Sequence, residues 1–390
     1  MYNIKTLNKI SSKGLNLLDY SKYALDTNED KVDGIILRSY KMHDMEVPNG
    51  LKAVARAGAG TNNIPVEKYT EKGIVVFNTP GANANSVKEI VLMGLFISSR
   101  KVIRGAKWAD TLKGKGDEVG KLVEKGKSDF TGNEIKGKTL GIIGLGAIGV
   151  MVANDAIALG MNVVGYDPYI SIDAAWGLSR GVKKAESLEK LLAQCDYITI
   201  HIPLNDSTKN FIDEDKIAMM KKGVKLLNFA RGELVNTKAL KRAIEEEQID
   251  RYVTDFPSDD LLGVDNIICI PHLGASTPEA EENCAIMAVN QLTDYLETGN
   301  IKNSVNFPNC EMEKNGETRI TVGNKNVPNM LGQISKVLAE AELNIANMIN
   351  RNKGNYAYNI IDIDGSVPEN ITEELEKIDG VIFTRVIEGK

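Results

Sequence analysis

Histidine and cysteine are both scarce in this chain. Three histidines, His43, His201 and His272, are spread over 390 residues, and the four cysteines, Cys195, Cys269, Cys284 and Cys310, show no C-x-x-C spacing. No metal site or disulfide framework is therefore expected, and the thiols read as structural ones in a reducing compartment. No apolar run approaches the length of a membrane span, and the first residues, MYNIKTLNKISSKG, lack an apolar core before a cleavage site. A cytoplasmic location follows as the expectation. A strong excess of one charge is missing too. The formal net charge is −6 with both signs interspersed, which argues against a general binder of nucleic acid or membrane surfaces. Residues 101–127 are rich in lysine but broken by acids, and read as a solvated face.

Glycine, by contrast, is placed with a pattern. In Lys138–Pro168, KTLGIIGLGAIGVMVANDAIALGMNVVGYDP, a buried strand runs into a glycine turn, then a helix, then a second strand ending on Asp167. Gly144, Gly146 and Gly149 form G-x-G-x-x-G in the place a dinucleotide site needs it. The first permits the tight turn, the second lets backbone approach a pyrophosphate, and the third lets helix and strand lie close. The phosphates would meet the free N–H groups of the helix start. Asp167 stands where a carboxylate can accept from both ribose hydroxyls, and residues 168–172 offer no cation for a 2′-phosphate. NAD is the expected cofactor rather than NADP.

Around this unit the chain alternates apolar runs with helix-capable segments, the rhythm of parallel sheets. Before it come runs at 34–37, 53–57 and 74–77, then one long helix over 83–108 that leads out of the first unit. After Asp167 come a helix over 188–193, strands at 197–200 and 224–229, an amphipathic helix over 234–247, and strands at 252–254 and 267–270. A long helix over 277–298 precedes a Pro- and Asn-rich linker. Strand, helix, two strands, helix and strand then follow from 318, a βαββαβ pattern of a size able to fold alone. The fold class is α/β, with two doubly wound, Rossmann-like parallel-sheet domains and a small C-terminal domain.

Ligands of open parallel sheets collect beyond the carboxyl ends of strands, so the residues there carry the chemistry. They are His201, Arg231, Asp255 and His272. Oxidising a secondary alcohol needs a base for the hydroxyl proton, and an imidazole can exchange protons near neutrality. His43 lies in a polar stretch and reads as a surface residue. His201 ends the strand YITIHIP and reads as packed beside the cofactor. His272, between a strand and a glycine turn in IPHLGAST, is the expected base. Arg231 in NFARGELV could grip an α-carboxylate through two parallel hydrogen bonds. Asp259 and Asp260 are both candidates for the acid that orients His272. Arg38 and Arg56, with the glycine turn RAGAGTNN after a strand, could hold a carboxylate or phosphate.

These stretches, RAGAGTNNI, GLGAIG with Asp167, LLAQCDYITIHIPLNDSTKNFI, LLNFARGELV and PHLGASTPEA, resemble the D-isomer-specific 2-hydroxyacid dehydrogenases over nearly the whole chain. The resemblance implies a substrate-binding domain at 1–100, completed by 281–305, and an NAD-binding domain at 101–280. A linker at 306–316 and a domain at 317–390 would follow. It implies catalysis by Arg231 and His272, with Asp260 in the slot of the family's third catalytic residue, a glutamate. Cofactor contacts are implied for Gly144, Gly146, Ala147, Ile148, Gly149, Asp167, Ala230 and Asp255, with His201, Pro203, Gly274 and Ala275 beside them. Gly58 and Ala59 would hold the substrate carboxylate, and Arg38, Ser39 and Asn83 would lie near a phosphate. The implied reaction is NAD-dependent oxidation of 3-phosphoglycerate to its 2-oxo acid in a homodimer or homotetramer. Turnover of glycerate, lactate or 2-hydroxyglutarate, or NAD sensing without turnover, are the alternatives. The C-terminal stretch, with VGNKNVPNMLGQI and ELNIAN, resembles an ACT regulatory domain, and places Asn324, Asn326 and Asn344 as candidate contacts for an L-serine effector.

Overall fold

The structure is a computed structural model that describes residues 1–27 and 31–388. They form two compact units, Met1–Ala82 together with Pro278–Lys390, and Asn83–Thr277.

In the first unit, β1 (Tyr2–Leu7), β2 (Tyr23–Leu25), β3 (Gly34–Leu37), β4 (Ala53–Arg56) and β5 (Val75–Phe77) build a parallel sheet in the order β2-β1-β3-β4-β5. β3, β4 and β5 lie on the expected apolar runs. β1 and β2 add to the sequence reading, because a strand such as YNIKTL buries only part of its residues and leaves no apolar run to see. The helix Pro278–Thr298 lays Ala288, Leu292 and Tyr295 into the same core as Ile4, Ile36 and Phe77.

Residues 301–310 are not the loose linker expected near 306–316. Phe307 and Cys310 are buried, and the Asn306 side chain completes the outer edge of β5. Its Oδ1 accepts from the Val76 N–H at 2.9 Å, and its Nδ2 donates to the Ile74 carbonyl at 2.8 Å and the Thr70 hydroxyl at 3.0 Å. The carboxamide thus extends the backbone pairing that residues 303–305 make with the same edge, where the Val305 N–H donates to the Val76 carbonyl at 2.9 Å.

The C-terminal βαββαβ pattern forms a four-stranded antiparallel sheet, β14-β15-β13-β16, from β13 (Thr318–Lys325), β14 (Ile345–Lys353), β15 (Tyr356–Ile363) and β16 (Val381–Glu388). The helices Met330–Glu340 and Ile371–Glu376 cover one face through Ile334, Leu338 and Leu375. The other face gives Tyr358 and Ile360 to the core of the first unit. This sheet also satisfies the end of the Pro278–Thr298 helix, whose last carbonyls have no partner within the helix. Arg385 donates to the Tyr295 and Leu296 carbonyls, Arg319 to that of Thr298, and the Tyr358 hydroxyl to Gly299. Arg319 is itself held by Asp362, at 2.6 Å and 3.0 Å, in a pair with no exposed surface.

The second unit holds a seven-stranded parallel sheet, β12-β11-β10-β9-β6-β7-β8. Its strands are β6 (Thr139–Ile143), β7 (Asn162–Tyr166), β8 (Lys183–Lys184), β9 (Tyr197–Ile200), β10 (Val224–Asn228), β11 (Ile249–Thr254) and β12 (Ile267–Cys269). This unit starts at Asn83, not at residue 101. The expected helix over 83–108 is two helices, Ala84–Ser99 and Val102–Asp110. The Ser98 and Ser99 hydroxyls both donate back to the Leu95 carbonyl, and Arg100 turns extended at φ −118°, ψ 133°. Such back-bonding competes with helix continuation. The helix expected from 234 starts at Thr237, where the Asn236 side chain accepts from the Ala239 N–H.

Candidate active site

Glycine carries the turn after β6 for steric reasons. Gly144 has φ +93°, and a Cβ there would lie 2.6 Å from the His201 carbonyl oxygen. A Cβ on Gly149 would collide with the Gly144 carbonyl, so helix and turn can meet only without one. Gly146 faces open space and starts the helix Ala147–Ala158 with no side chain capping its first N–H groups. Those donors, including Ala147 and Ile148, suit the pyrophosphate of a dinucleotide. At the end of β7, Asp167 accepts from the Leu145 and Tyr169 N–H groups, both at 2.8 Å. One bond per oxygen ties the acid to the glycine turn and leaves acceptor capacity for ribose hydroxyls. The residues present fit NAD.

His201, at the end of β9, bonds through its ring to the Thr199 hydroxyl at 3.0 Å. Loss of solvent pushes its pKa down to about 4, so the ring is neutral near pH 7. Pro203 follows it, with its carbonyl accepting from the Thr208 hydroxyl.

Arg231, Asp255 and His272 follow the carboxyl ends of β10, β11 and β12, which are neighbours in the sheet. Asn228 shapes the Arg231 turn: its Nδ2 donates to the Arg231 carbonyl at 2.8 Å and its Oδ1 accepts from the Ala230 N–H. The exposed Arg231 side chain makes one bond, to the Ala230 carbonyl, and its other N–H groups have no partner among the described residues. Phe256 joins this turn to His272. A Cβ on Gly232 would lie 3.2 Å from its Cβ, and its ring centroid stands 4.8 Å from that of the exposed imidazole. The structure thus sets the guanidinium turn and the imidazole about one aromatic ring.

Asp255 lies beneath them, 1% exposed, and neither carboxylate oxygen has a hydrogen-bond partner among the described residues. Burial raises its pKa, opposed by the fields of His272 and Arg231 and by the nearby Gly274 N–H. Such an acceptor awaits a donor, as a cofactor contact requires. Gly274 is buried against it and Val87, with Ala275 next in the turn.

Asp260 is not brought to His272. Both Asp259 and Asp260 are exposed, and neither bonds or ion-pairs with the imidazole among the described residues. The buried Leu261 anchors the loop, with its N–H on the Ser258 carbonyl, and turns the two acids outward.

In the first unit, Asn63 links two expected anion-binding turns. It donates to the Arg38 carbonyl at 3.2 Å and accepts from Arg56 Nε at 3.1 Å. Gly58 has φ +154°, and a Cβ there would strike the Arg56 guanidinium. Ala59 accepts from the Asn78 side chain, and the Ser39 N–H donates to Asn8. Arg38 itself pairs with Glu281 at 2.6 Å. Asn83 belongs to the second unit, where it starts the helix Ala84–Ser99. Asn63, Asn228 and Phe256 were legible only as neighbours of the motif residues.

All three asparagines proposed for an effector make hydrogen bonds within the C-terminal domain. Asn324, 1% exposed, donates to the Lys325 carbonyl and accepts from Asn359, which accepts from Asn350. Burial in this ladder removes Asn324 from any surface site. Asn344 is held by Asp364 at 2.6 Å, and Asn326 donates to the Gly354 carbonyl at 3.1 Å. The register puts Asn326 and Asn344 at opposite ends of the sheet, about 25 Å apart at strand spacing.

Residues 93–274 match the family model described as D-isomer specific 2-hydroxyacid dehydrogenase, NAD binding domain. The chain is 32% identical to a D-3-phosphoglycerate dehydrogenase of Haemophilus influenzae, across 98% of its own length and 94% of that protein's. It is 38% identical to one of Methanocaldococcus jannaschii across 78% of its length, but spans only 56% of that relative. Among solved structures, an NAD+-bound 3-phosphoglycerate dehydrogenase of Entamoeba histolytica is 26% identical with a TM-score of 0.60, over 78% of this chain and 98% of that one.

Proposed function

Since the chain belongs to the D-isomer-specific 2-hydroxyacid dehydrogenase family, we propose that it oxidises 3-phospho-D-glycerate to 3-phosphohydroxypyruvate with NAD, the entry step to L-serine. The observation that carries this reading is Arg231 and His272 in exposed turns after β10 and β12, the two strands that flank β11, joined through Phe256. NAD, when bound, supplies the acceptor for the C2 hydride. His272 takes the C2 hydroxyl proton, and its exposed ring can pass that proton to solvent. Arg231 holds the carboxylate and polarises the C2 oxygen. Asp255 offers its buried oxygens to an N–H donor of the cofactor, and Asp167 receives the ribose. Gly58 and Ala59 supply backbone to the substrate carboxylate, while Arg38 would exchange Glu281 for the phosphate.

A panel of 2-hydroxy and 2-oxo acids with NAD and NADH tests the reading. Phosphohydroxypyruvate should be reduced far faster than hydroxypyruvate, pyruvate or 2-oxoglutarate. Equal rates would make the chain a general 2-hydroxyacid dehydrogenase, and no turnover would leave an NAD-binding protein. The C-terminal sheet is proposed as an ACT-type regulatory domain for L-serine. Since Asn326 and Asn344 lie at opposite ends of one sheet, a site using both needs two copies, in keeping with a homodimer or homotetramer. Initial rates unchanged at millimolar serine would remove the effector role.

A further inference from the structure

A second concave site lies in the second unit, on the outer side of the edge strand β12. The cavity has a volume of about 440 Å³. Its wall carries Arg100, Lys101, Arg104, Lys107 and Arg251, against a single acid, Asp265. Asp265 pairs with Arg104 at 2.9 Å, which leaves most of the positive charge uncompensated.

Arg251 is the residue that sets this apart from a basic surface. It is 7% exposed, on β11, and its guanidinium forms no hydrogen bond or ion pair with any described residue. A bulge puts it there. Val224 on β10 stands opposite Ile249, but Lys225 stands opposite Arg251, so Asp250 is an extra residue on β11. Bulges re-aim side chains. Ile249 and Tyr252 enter the core on one side of the sheet, whereas Val253 packs with Val91 and Leu95 of the Ala84–Ser99 helix on the other. Arg251 shares the face of Val253 and reaches the cavity. Asp250, whose field acts on it, is held by Lys225 at 2.8 Å.

Burying a cation without a partner is costly, and a guanidinium satisfies that cost best with two parallel bonds to an oxyanion. Ile97, Ile103 and Ile268 add apolar surface to the lining. A volume of this order suits a small molecule, not a peptide segment. We propose that this cavity binds a small organic phosphate, its oxyanion head on Arg251 and the basic row and its body against these isoleucines. The site is distinct from the dinucleotide turn and does not depend on the reaction assigned above.

The test is calorimetric titration of the full chain with inorganic phosphate and with phenyl phosphate, in chloride buffer of matched ionic strength and with NADH saturating. Phenyl phosphate should bind more tightly than inorganic phosphate. Arg251→Gln and Lys107→Gln should each weaken it, the former by about tenfold or more, with NADH affinity unchanged. If Arg251→Gln no longer binds NADH, and so has not folded, Lys107→Gln and Arg100→Gln on the exposed rim decide the matter. Affinity unchanged in the folded variants, or no binding by the parent chain, overturns the proposal.

Discussion

Asp255 is the residue whose environment most constrains how this chain responds to change. Its carboxylate is buried with both oxygens unpaired among the described residues, and burial raises its pKa above the ordinary value near 3.9. A raised acid binds its proton more tightly in the folded state than in the unfolded one. Its favourable contribution is complete below about pH 4 and is lost as pH rises through the raised value. At neutral pH the charged form is a liability in the ligand-free protein. Asp255→Asn should therefore stabilise the ligand-free chain at pH 7 by about 1–2 kcal/mol, with the gain shrinking toward pH 4. Urea titrations at both pH values check this, and a variant less stable than its parent at pH 7 contradicts it. The same substitution should weaken NADH binding. For His272→Ala the expected outcome is a fall in kcat of about 10²–10⁴ with NADH affinity retained; a kcat near that of the parent would remove His272 from the mechanism. The position of both residues just beyond strand ends was legible in the sequence because the apolar runs of β11 and β12 mark where those strands stop. Asp260 was not, because its direction depends on where Leu261 finds a pocket, and that is set by packing far along the chain.

Among the elements, those read correctly are those whose pattern is local. β3 to β7 and β9 to β12 each carry a short, mostly apolar run, and such runs stand out without any knowledge of their neighbours. The segment 301–310 reads as a linker since Pro, Asn and Lys interrupt it, yet its backbone and the Asn306 side chain together close the edge of β5. Nothing local marks an asparagine that imitates a backbone. The break at Arg100 was equally hidden, because the apolar face on either side keeps its period. Asn306→Ala is expected to cost about 2–4 kcal/mol, since it strips partners from the Val76 N–H, the Ile74 carbonyl and the Thr70 hydroxyl at once. Denaturant midpoints measure it. A loss below about 0.5 kcal/mol, the ordinary effect of a surface change, would show that β5 does not depend on this side chain.

For the molecule as a whole, the least legible feature is how the C-terminal sheet is used. Its size and βαββαβ pattern suggest a domain that folds alone, and the pattern is correct. Its second face, however, is a piece of another core. Tyr358 and Ile360 have no exposed surface, and Phe383 and Tyr356 pack against Phe307. Arg319 and Arg385 help end the Pro278–Thr298 helix: Arg319 donates to the Thr298 carbonyl, and Arg385 to those of Tyr295 and Leu296. Uncovering several large side chains, each worth about 1.5–3 kcal/mol, together with the loss of donors at the helix end, exceeds the margin by which most domains are stable. A chain stopped at residue 316 should therefore fail to fold at moderate temperature or melt far below the full chain, even though every expected catalytic and cofactor residue is still present. Differential scanning calorimetry of the two forms gives the answer. The full chain should lose its first unit and its C-terminal sheet in one transition, because they share side chains. Separate transitions, with the shortened chain melting where the full chain's first unit melts, would show instead that the sheet is an appendage.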